Sequence, residues 1–176
     1  MQTHREKITG DKATELIKNG IPLVDKEVEG KIDLVNIDNW DKDILIDNCI
    51  IDSFDGTVTQ FEKPVVFRTS HFKDCKFLYS YFFDGIIIKD CTFDSYLDFQ
   101  AGGHNKIGHP IIIENNTFLS FVSFWDCWYK GEVSICNNNF IKGTNIDSKK
   151  QMITFDIPPT ISNNAGETNI EAEFVA

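Results

Sequence analysis

The stretch that decides the fold of this chain is Thr69-Ser-His-Phe-Lys-Asp74-Cys-Lys-Phe-Leu-Tyr79-Ser-Tyr-Phe-Phe-Asp84-Gly-Ile-Ile-Ile88. It divides into four groups of five residues, and each group carries a small residue two positions before a large apolar one. Because side chains alternate between the two faces of a strand, both residues of a pair are expected to face the interior. The pattern predicts a turn with four short faces, whose inward pairs are Ser70 and Phe72, Cys75 and Phe77, Ser80 and Phe82, and Gly85 and Ile87.

A longer period surrounds this stretch. Five segments share a large apolar residue, a small or amide residue three positions later, and another large apolar residue five positions later. Their first residues are 21, 21, 25 and 22 positions apart, a period that indicates a solenoid of stacked turns. The segments are Ile46–Ile51, Phe67–Phe72, Ile88–Phe93, Ile113–Phe118 and Ile135–Phe140.

Two sets of residues are expected to build the core of this solenoid. The large residues should stack in register, one strand spacing apart. The small and amide residues should form a tight internal column rather than a thiol site, since a buried free cysteine behaves as a small apolar residue. The large set is Ile46, Ile51, Phe67, Phe72, Phe77, Phe82, Ile88, Phe93, Ile113, Phe118, Ile135 and Phe140, and the small set is Cys49, Ser70, Cys91, Asn116 and Asn138.

Residues 69–88, with looser copies at 46–54, 90–97, 115–122 and 137–141, resemble the pentapeptide-repeat family. The consensus unit of that family is a small residue, Asp or Asn, Leu or Phe, and two polar residues. The resemblance covers about two-thirds of the chain and implies a right-handed quadrilateral parallel β-helix. Turns of 21 or more residues depart from a strict four-by-five pattern, so a more irregular parallel β-helix is the alternative.

The chain outside the repeats reads as two end pieces. Thr9 can cap a helix at 10–19, with an apolar stripe of Ala13, Leu16 and Ile17 and a stop at Gly20. Residues 1–30 are therefore interpreted as an N-terminal cap and 31–147 as the β-helix. Residues 148–176 lose the period and are interpreted as a C-terminal cap or dimerisation segment, with strands at 152–155 and 170–175 and a turn at 163–166. The predicted class is all-β, with a short N-terminal capping helix.

Charge narrows the classes of function. The chain of 176 residues carries 27 acidic and 17 basic residues, a formal net charge of −10 at pH 7. An acidic surface repels nucleic acid phosphates and anionic membranes, so direct binding to either is disfavoured. The same surface can attract the basic groove of a DNA-binding enzyme.

The cysteines and the hydropathy of the chain indicate a compartment. The five cysteines include no Cys-x-x-Cys pair, which argues against a disulfide framework and against structural zinc. The polar start leads into no signal-like apolar run, and no segment approaches the ~20 apolar residues that span a bilayer. We expect a cytoplasmic protein with reduced thiols and without a cofactor.

One candidate site is the longest turn, at 100–110. Its glycines predict a protruding loop, and loops on rigid scaffolds commonly bind ligands. His104 and His109 could contact a ligand there. A metal site with Asp98 is not predicted, since the two histidines lack a metal-ligand spacing and no second cluster completes the set.

The second candidate site is the aromatic segment 124–129. Trp125, Trp128 and Tyr129 exceed what a narrow interior can hold, so some of them should reach the surface. They could contact a protein partner or a sugar ring, or they could instead cover a solenoid edge.

No catalytic constellation is evident, so the chain is interpreted as a non-catalytic scaffold that binds a protein partner. The family resemblance implies that acidic DNA mimicry toward a type II topoisomerase is one form of such binding. The alternatives are a β-helix that binds or cleaves carbohydrate and a small-ligand sensor that uses the 100–110 loop. A homodimer through a solenoid end is a further possibility.

Overall fold

The structure is a computed structural model that describes residues 5–150 and 152–171. The first elements in chain order are β1 Glu6–Thr9, α1 Gly10–Lys18, β2 Leu23–Val24, β3 Lys26–Asp33, β4 Ile44–Asp47, β5 Ile50–Asp55, β6 Gln60–Phe61, β7 Val65–Arg68, β8 His71–Lys76, β9 Tyr81–Phe82 and β10 Ile86–Lys89. The others are β11 Thr92–Phe93, β12 Leu97–Asp98, β13 Ile111–Glu114, β14 Thr117–Phe118, β15 Val122–Ser123, β16 Trp128–Tyr129, β17 Val133–Cys136, β18 Asn139–Phe140, β19 Thr154–Phe155 and β20 Thr160–Ser162.

Parallel sheets run along the length of the molecule. Sheet A follows the path β1-β3-β5-β8-β11-β14-β18, with β12 and β15 beside it, and sheet B follows β2-β4-β7-β10-β13-β17-β20. The third side is formed by the pairs β6-β9 and β16-β19, which isolated bridges of Gly103 to Tyr81 and Trp128 connect. Within the described residues the chain is an all-β, right-handed parallel β-helix of about seven turns with a single short helix, as the sequence predicts.

The predicted stacking of large residues is confirmed on sheet A. The rings of Phe72, Phe93, Phe118 and Phe140 lie one above the other, with successive centroids 5.0, 5.2 and 5.0 Å apart. Their strands pair in the same register. A regular stack of parallel-offset rings combines apolar burial with a favourable ring geometry.

Sheet B carries a matching apolar column, aliphatic except at Phe67. Its inward residues run in register from Leu23 through the first residue of each predicted segment to Ile161. Every predicted core residue, large or small, is at most 3 % exposed. The interior is therefore continuous from the first turn to the last.

The fourth inward pair of the deciding stretch was predicted wrongly. Ser70 with Phe72, Cys75 with Phe77 and Ser80 with Phe82 are all buried, as expected. On the fourth face, however, Ile86 and Ile88 point inward and Ile87 points outward. The turn has 21 residues rather than 20, and the additional residue falls on this face, so the alternation shifts by one position.

Each turn bends at a corner whose residue has a left-handed backbone conformation. After sheet B, this residue has a φ between 49° and 59° in every turn, and its N–H donates to the next turn wherever one follows. Asn and Asp tolerate this conformation better than other non-glycine residues, which explains why they prevail here. The corner residues are Asp25, Asn48, Thr69, Asp90, Asn115, Asn137 and Asn163.

The predicted column of small and amide residues follows these corners directly. The backbone N–H of Cys91 donates to Oδ1 of Asn116 (2.9 Å), and the N–H of Asn116 donates to Oδ1 of Asn138 (3.0 Å). The N–H of Asn138 in turn donates to Oδ1 of Asn164 (2.9 Å). Nδ2 of Asn116 donates to the carbonyl oxygen of Ile88 and Nδ2 of Asn138 donates to that of Ile113, so these buried amides bind backbone groups between faces.

The helix has the predicted cap and lies close to its predicted range. Oγ1 of Thr9 accepts a hydrogen bond from the N–H of Lys12 at 3.2 Å, and Ala13 and Ile17 are buried. The parallel ladder begins before this helix, because β1 pairs with β3. At the other end the ladder reaches β20, so the stacked turns extend past 31–147 in both directions.

The C-terminal segment continues the solenoid. The strand predicted at 152–155 is present as β19. The turn predicted at 163–166 is part of another repeat. In this repeat Ile161 extends the sheet B column, and Asn164 extends the column of small and amide residues, whose hydrogen-bonded asparagines we call the amide ladder. Most of the strand predicted at 170–175 lies outside the described residues.

Candidate binding surface

The strongest candidate site is a surface on the third side of the solenoid, formed by Tyr81, Phe83, His104 and Trp128, which we call the aromatic face. Tyr81 and Trp128 occupy the same outward position two turns apart, since each bridges to Gly103 in the turn between them. One turn corresponds to about 4.8 Å along the axis, so these two rings lie within reach of one ligand.

The side chains of the aromatic face contact one another. The ring centroids of Tyr81 and His104 are 4.1 Å apart, those of His104 and Trp128 are 5.6 Å apart, and those of Tyr81 and Phe83 are 5.9 Å apart. Trp128 is 44 % exposed although it is a large apolar side chain. An ordered, exposed aromatic group of this kind is typical of a contact surface.

Two lysines from the same chain lie on these rings. Nζ of Lys130 is 4.7 Å from the centroid of Trp128, and Nζ of Lys106 is 5.3 Å from the centroid of Phe83. Both distances are within the range of a cation–π interaction. The aromatic face therefore attracts ammonium groups in the free protein.

Carboxylates border the aromatic face. Nε1 of Trp128 donates to Oδ1 of Asp156 at 2.9 Å. Nζ of Lys106 is 3.3 Å from Oε2 of Glu62 and 3.8 Å from Oδ1 of Asp84. The surface thus combines exposed rings with charges of both signs.

His104 adds no positive charge to the aromatic face at neutral pH. Burial lowers the pKa of His104 below its ordinary value of 6.5, and the nearby Lys130 lowers that pKa further. The neutral imidazole completes the row of rings between Tyr81 and Trp128.

Gly103 sets the distance between the turns below this surface. Its φ is +99°, and a Cβ atom at this position would lie 2.6 Å from the carbonyl oxygen of Trp128. The side chain of Asn105 is buried below the same surface, where its Nδ2 donates to the carbonyl oxygens of His109 (3.0 Å) and Glu132 (3.1 Å). The backbone beneath the aromatic face is therefore closely packed.

The prediction of a protruding loop at 100–110 needs correction. Gly103 belongs to the ladder, and the N–H of Lys106 still donates to the carbonyl oxygen of Phe83 (3.0 Å), so only the segment 107–109 leaves it. Eight positions separate Gly103 from Ile111, against five between the equivalent Tyr81 and Ile86, so three additional residues fold outward here. Ile107, at the tip of this segment, is 73 % exposed.

The other predicted site residues are dispersed. His109 is near the aromatic face, with Nδ1 3.5 Å from Oδ1 of Asp84. Tyr129 is buried in the core, where its ring stacks on Phe155 at 5.4 Å and burial raises its pKa well above 10.0. Trp125 precedes the corner at Asp126 and is half-buried, outside the row of rings that contains Trp128. Of the predicted candidates, His104 and Trp128 are brought into one cluster.

Sequence reasoning missed Tyr81, Phe83, Lys106 and Lys130 as members of this surface. Tyr81 and Phe83 flank a correctly predicted core residue, Phe82, and alternation alone would have turned both outward. The contact of Tyr81 with His104 depends on Gly103 keeping the register of the ladder within the longest turn, which the spacing of the segments does not reveal.

On sheet A, several surface carboxylates form cross-turn ion pairs with lysines. Nζ of Lys73 is 2.6 Å from Oδ1 of Asp52, and Nζ of Lys31 is 2.9 Å from Oδ2 of Asp55. These pairs link neighbouring turns, and they balance the charge of the carboxylates that they involve. The net charge of −10 is consequently not displayed there as a row of unpaired carboxylates.

The described residues contain no group of three or more His, Cys, Asp or Glu side chains arranged to hold a metal ion. Asp98, considered above with His104 and His109, is instead buried on sheet A beside Ser123. Over the same residues no helix is both long and apolar enough to cross a bilayer.

Neither the models of known protein families, nor the curated proteins, nor the solved structures contain a match to this chain.

Proposed function

We propose that this protein is a non-catalytic scaffold that binds a protein partner through the aromatic face. The observation that carries the proposal is the ordered row of Tyr81, His104 and Trp128, held on a closely packed parallel ladder. Trp and Tyr are enriched among the residues that dominate protein interfaces. A rigid surface also loses little conformational entropy when it binds.

The finer form of this proposal is that the chain belongs to the pentapeptide-repeat family and acts on a type II topoisomerase as an acidic DNA mimic. The buried pairs of residues 70–82 and the acidic composition support it. The cross-turn pairing of carboxylates with lysines weighs against mimicry by sheet A, because mimicry needs unpaired negative charge. A gyrase supercoiling assay tests this form, and full supercoiling at saturating protein would reject it.

Carbohydrate binding is the second candidate function. Exposed rings beside carboxylates, such as Trp128 beside Asp156, also suit a sugar that stacks its apolar face and donates hydroxyl hydrogen bonds. A glycan array tests this candidate. Binding of a glycan that is lost in the variant Trp128→Ala would favour it over a protein partner.

Quantitative affinity capture tests the proposed function. Immobilised wild-type protein is compared with Trp128→Ala and with Leu119→Ala, a control at an equally exposed apolar side chain on sheet A's side of the solenoid, since both residues are 44 % exposed. A true partner is retained by the wild type and by Leu119→Ala and is lost from Trp128→Ala. Equal retention by all three proteins, or the absence of any reproducible partner, would overturn the proposal.

A further inference from the structure

The lysines of the aromatic face indicate which chemistry this face prefers. Lys106 and Lys130 each come from a different turn, yet both place their ammonium groups over an aromatic ring. An ammonium group over a ring is attracted by the quadrupole of the π system, whose face is negative. These two contacts are intramolecular examples of the interaction that a cationic ligand would make.

From this geometry we infer that the aromatic face binds a Lys- or Arg-bearing segment of its protein partner, whose cations replace Lys106 and Lys130 on the rings of Phe83 and Trp128. The inference rests on the proposed function, and it names the chemistry of the segment that the partner presents.

Charge at the border of the face favours a cation over an anion. Three carboxylates lie beside the rings, compared with two lysine ammonium groups. The carboxylates are those of Glu62, Asp84 and Asp156. When an incoming segment displaces a lysine, a carboxylate remains beside the ring to pair with the incoming charge. The net charge of −10 attracts such a segment from a distance.

Water can accommodate the ammonium groups of the displaced lysines. The side chain of Lys106 is 53 % exposed, and Lys130 is partly exposed, so each ammonium group can move into water on its flexible stem. An arginine is better suited than lysine to replace them, because its planar guanidinium stacks on an aromatic ring and binds a carboxylate through two hydrogen bonds.

A substitution at Lys130 distinguishes a cationic ligand from an anionic one, because it should change their binding affinities in opposite directions. Lys130→Gln removes the internal competitor from Trp128, so it should strengthen the binding of a cationic peptide. A cation–π contact at an exposed site corresponds to a change of about two- to fivefold in dissociation constant. An anionic ligand would bind Lys130→Gln more weakly, because the substitution removes a positive charge.

The matched control is Lys142→Gln. Lys142 is exposed and lies after Phe140 on the side of sheet A, so the variant changes the net charge equally without affecting the aromatic face. Any effect of overall charge is common to both variants. The difference between them isolates the contact with Trp128.

The experiment is calorimetric titration of the full chain with short peptides of alternating Ser and Arg, Ser and Gln, or Ser and Glu, and with cellohexaose. We expect the arginine peptide to bind the wild-type protein. Lys130→Gln should bind this peptide more tightly than Lys142→Gln does, and Trp128→Leu should bind it with an affinity at least about threefold lower than that of the wild type. Circular dichroism confirms that each variant keeps its β-sheet signal.

Three results would overturn the inference. These are equal affinities for the arginine and glutamine peptides, a Lys130→Gln variant that binds no more tightly than Lys142→Gln, and binding of the glutamate peptide or of cellohexaose alone. If one of them occurs while Trp128→Ala still loses its captured protein partner, the proposed function stands and only the chemistry inferred for the partner is wrong.

Discussion

The Oδ1 atom of Asn138 accepts a hydrogen bond from the backbone N–H of Asn116, 3.0 Å away in the preceding turn. The Nδ2 atom of Asn138 donates to the carbonyl oxygen of Ile113 at 2.8 Å. One buried side chain therefore binds backbone groups at two positions of this corner. The amide ladder joins successive turns where the chain passes from sheet B to sheet A.

Replacing this amide is expected to destabilise the fold. Asn138→Ala leaves the buried N–H of Asn116 without its partner and removes one hydrogen bond from the carbonyl of Ile113, at a cost of about 1–3 kcal/mol for an unsatisfied group. Urea unfolding monitored by circular dichroism measures the change in the free energy of unfolding. Asn139→Ala is the control, because Asn139 is exposed on the adjacent strand position. Equal stabilities of the two variants would contradict a structural role for the ladder.

Adding one methyl group below the aromatic face should disturb it. In Gly103→Ala the new Cβ would lie 2.6 Å from the carbonyl oxygen of Trp128, in a backbone conformation with φ +99°. Gly108→Ala is the matched control, since Gly108 also has a positive φ (+81°) but no heavy atom within 4 Å of the place that its new methyl group would take. Both variants carry backbone strain of about 1 kcal/mol, and only Gly103→Ala adds a clash. We expect a clearly lower Tm for Gly103→Ala, and equal Tm values would refute the packing described.

Asp98 is expected to make stability depend on pH. Burial raises the pKa of Asp98 above its ordinary 3.8, although hydrogen bonds from the Gln100 backbone and Tyr96 oppose the shift. Between 3.8 and the raised value the folded state binds more protons than the unfolded state, so this group's contribution to stability increases as the pH falls through that window. Asp98→Asn should therefore raise the Tm at pH 7, and the gain should vanish as the pH approaches 3.8.

The control for this effect is Asp147→Asn, which removes an equal charge at an exposed position. Thermal unfolding of both variants from pH 7 to pH 4 provides the comparison. An advantage of Asp98→Asn that does not change with pH would show that desolvation of the carboxylate is not its cause.

The cysteines should differ sharply in reactivity. Burial raises the pKa of Cys91 to about 12 and that of Cys127 to about 12, and Cys49 and Cys75 are buried as well. At Cys136 desolvation is the largest single effect and raises the pKa, but the hydrogen bonds with Ser162 and Ser134 together outweigh it and lower the pKa below 9.0. Since the thiolate is the reactive form, Ellman's reagent should label Cys136 in the native protein far faster than the other four.

Labelling at pH 7 against time measures this difference, and urea should release the slow thiols. The variant Cys136→Ser should lose the fast phase and keep the remainder. A fast phase that persists in Cys136→Ser would mean that another thiol is accessible in the native solenoid.

The core of this fold could be predicted from the sequence because each core residue occupies a fixed place in a short repeated segment. Phe72, Phe93, Phe118 and Phe140 stack because each occupies the same place in a short segment, and a period near 21 residues marks that place. The same rule could have found the last turn, since Ile161-Ser-Asn-Asn repeats the Ile-x-Asn-Asn pattern of two earlier segments. It misassigned Ile87 because a beat of five does not divide a turn of 21.

The candidate surface could be predicted only in part from the sequence, because it depends on how turns of different length stack on one another. His104 and Trp128 were recognised individually from their residue types. Their contact with each other, and with Tyr81, requires that a turn with additional residues at 107–109 keeps the register at Gly103 and regains it at Ile111. No single segment of the sequence contains that information, since it is a property of the stack.

The outward fold of residues 107–109 has a practical consequence for engineering. Both flanking ladders continue unbroken, from Tyr81 through Gly103 to Trp128 and from Ile86 through Ile111 to Val133. A foreign peptide grafted between Ile107 and Gly108 would be displayed at the rim of the aromatic face without interrupting either ladder. A fluorophore or an epitope tag at that point would report occupancy of the neighbouring surface from within the chain.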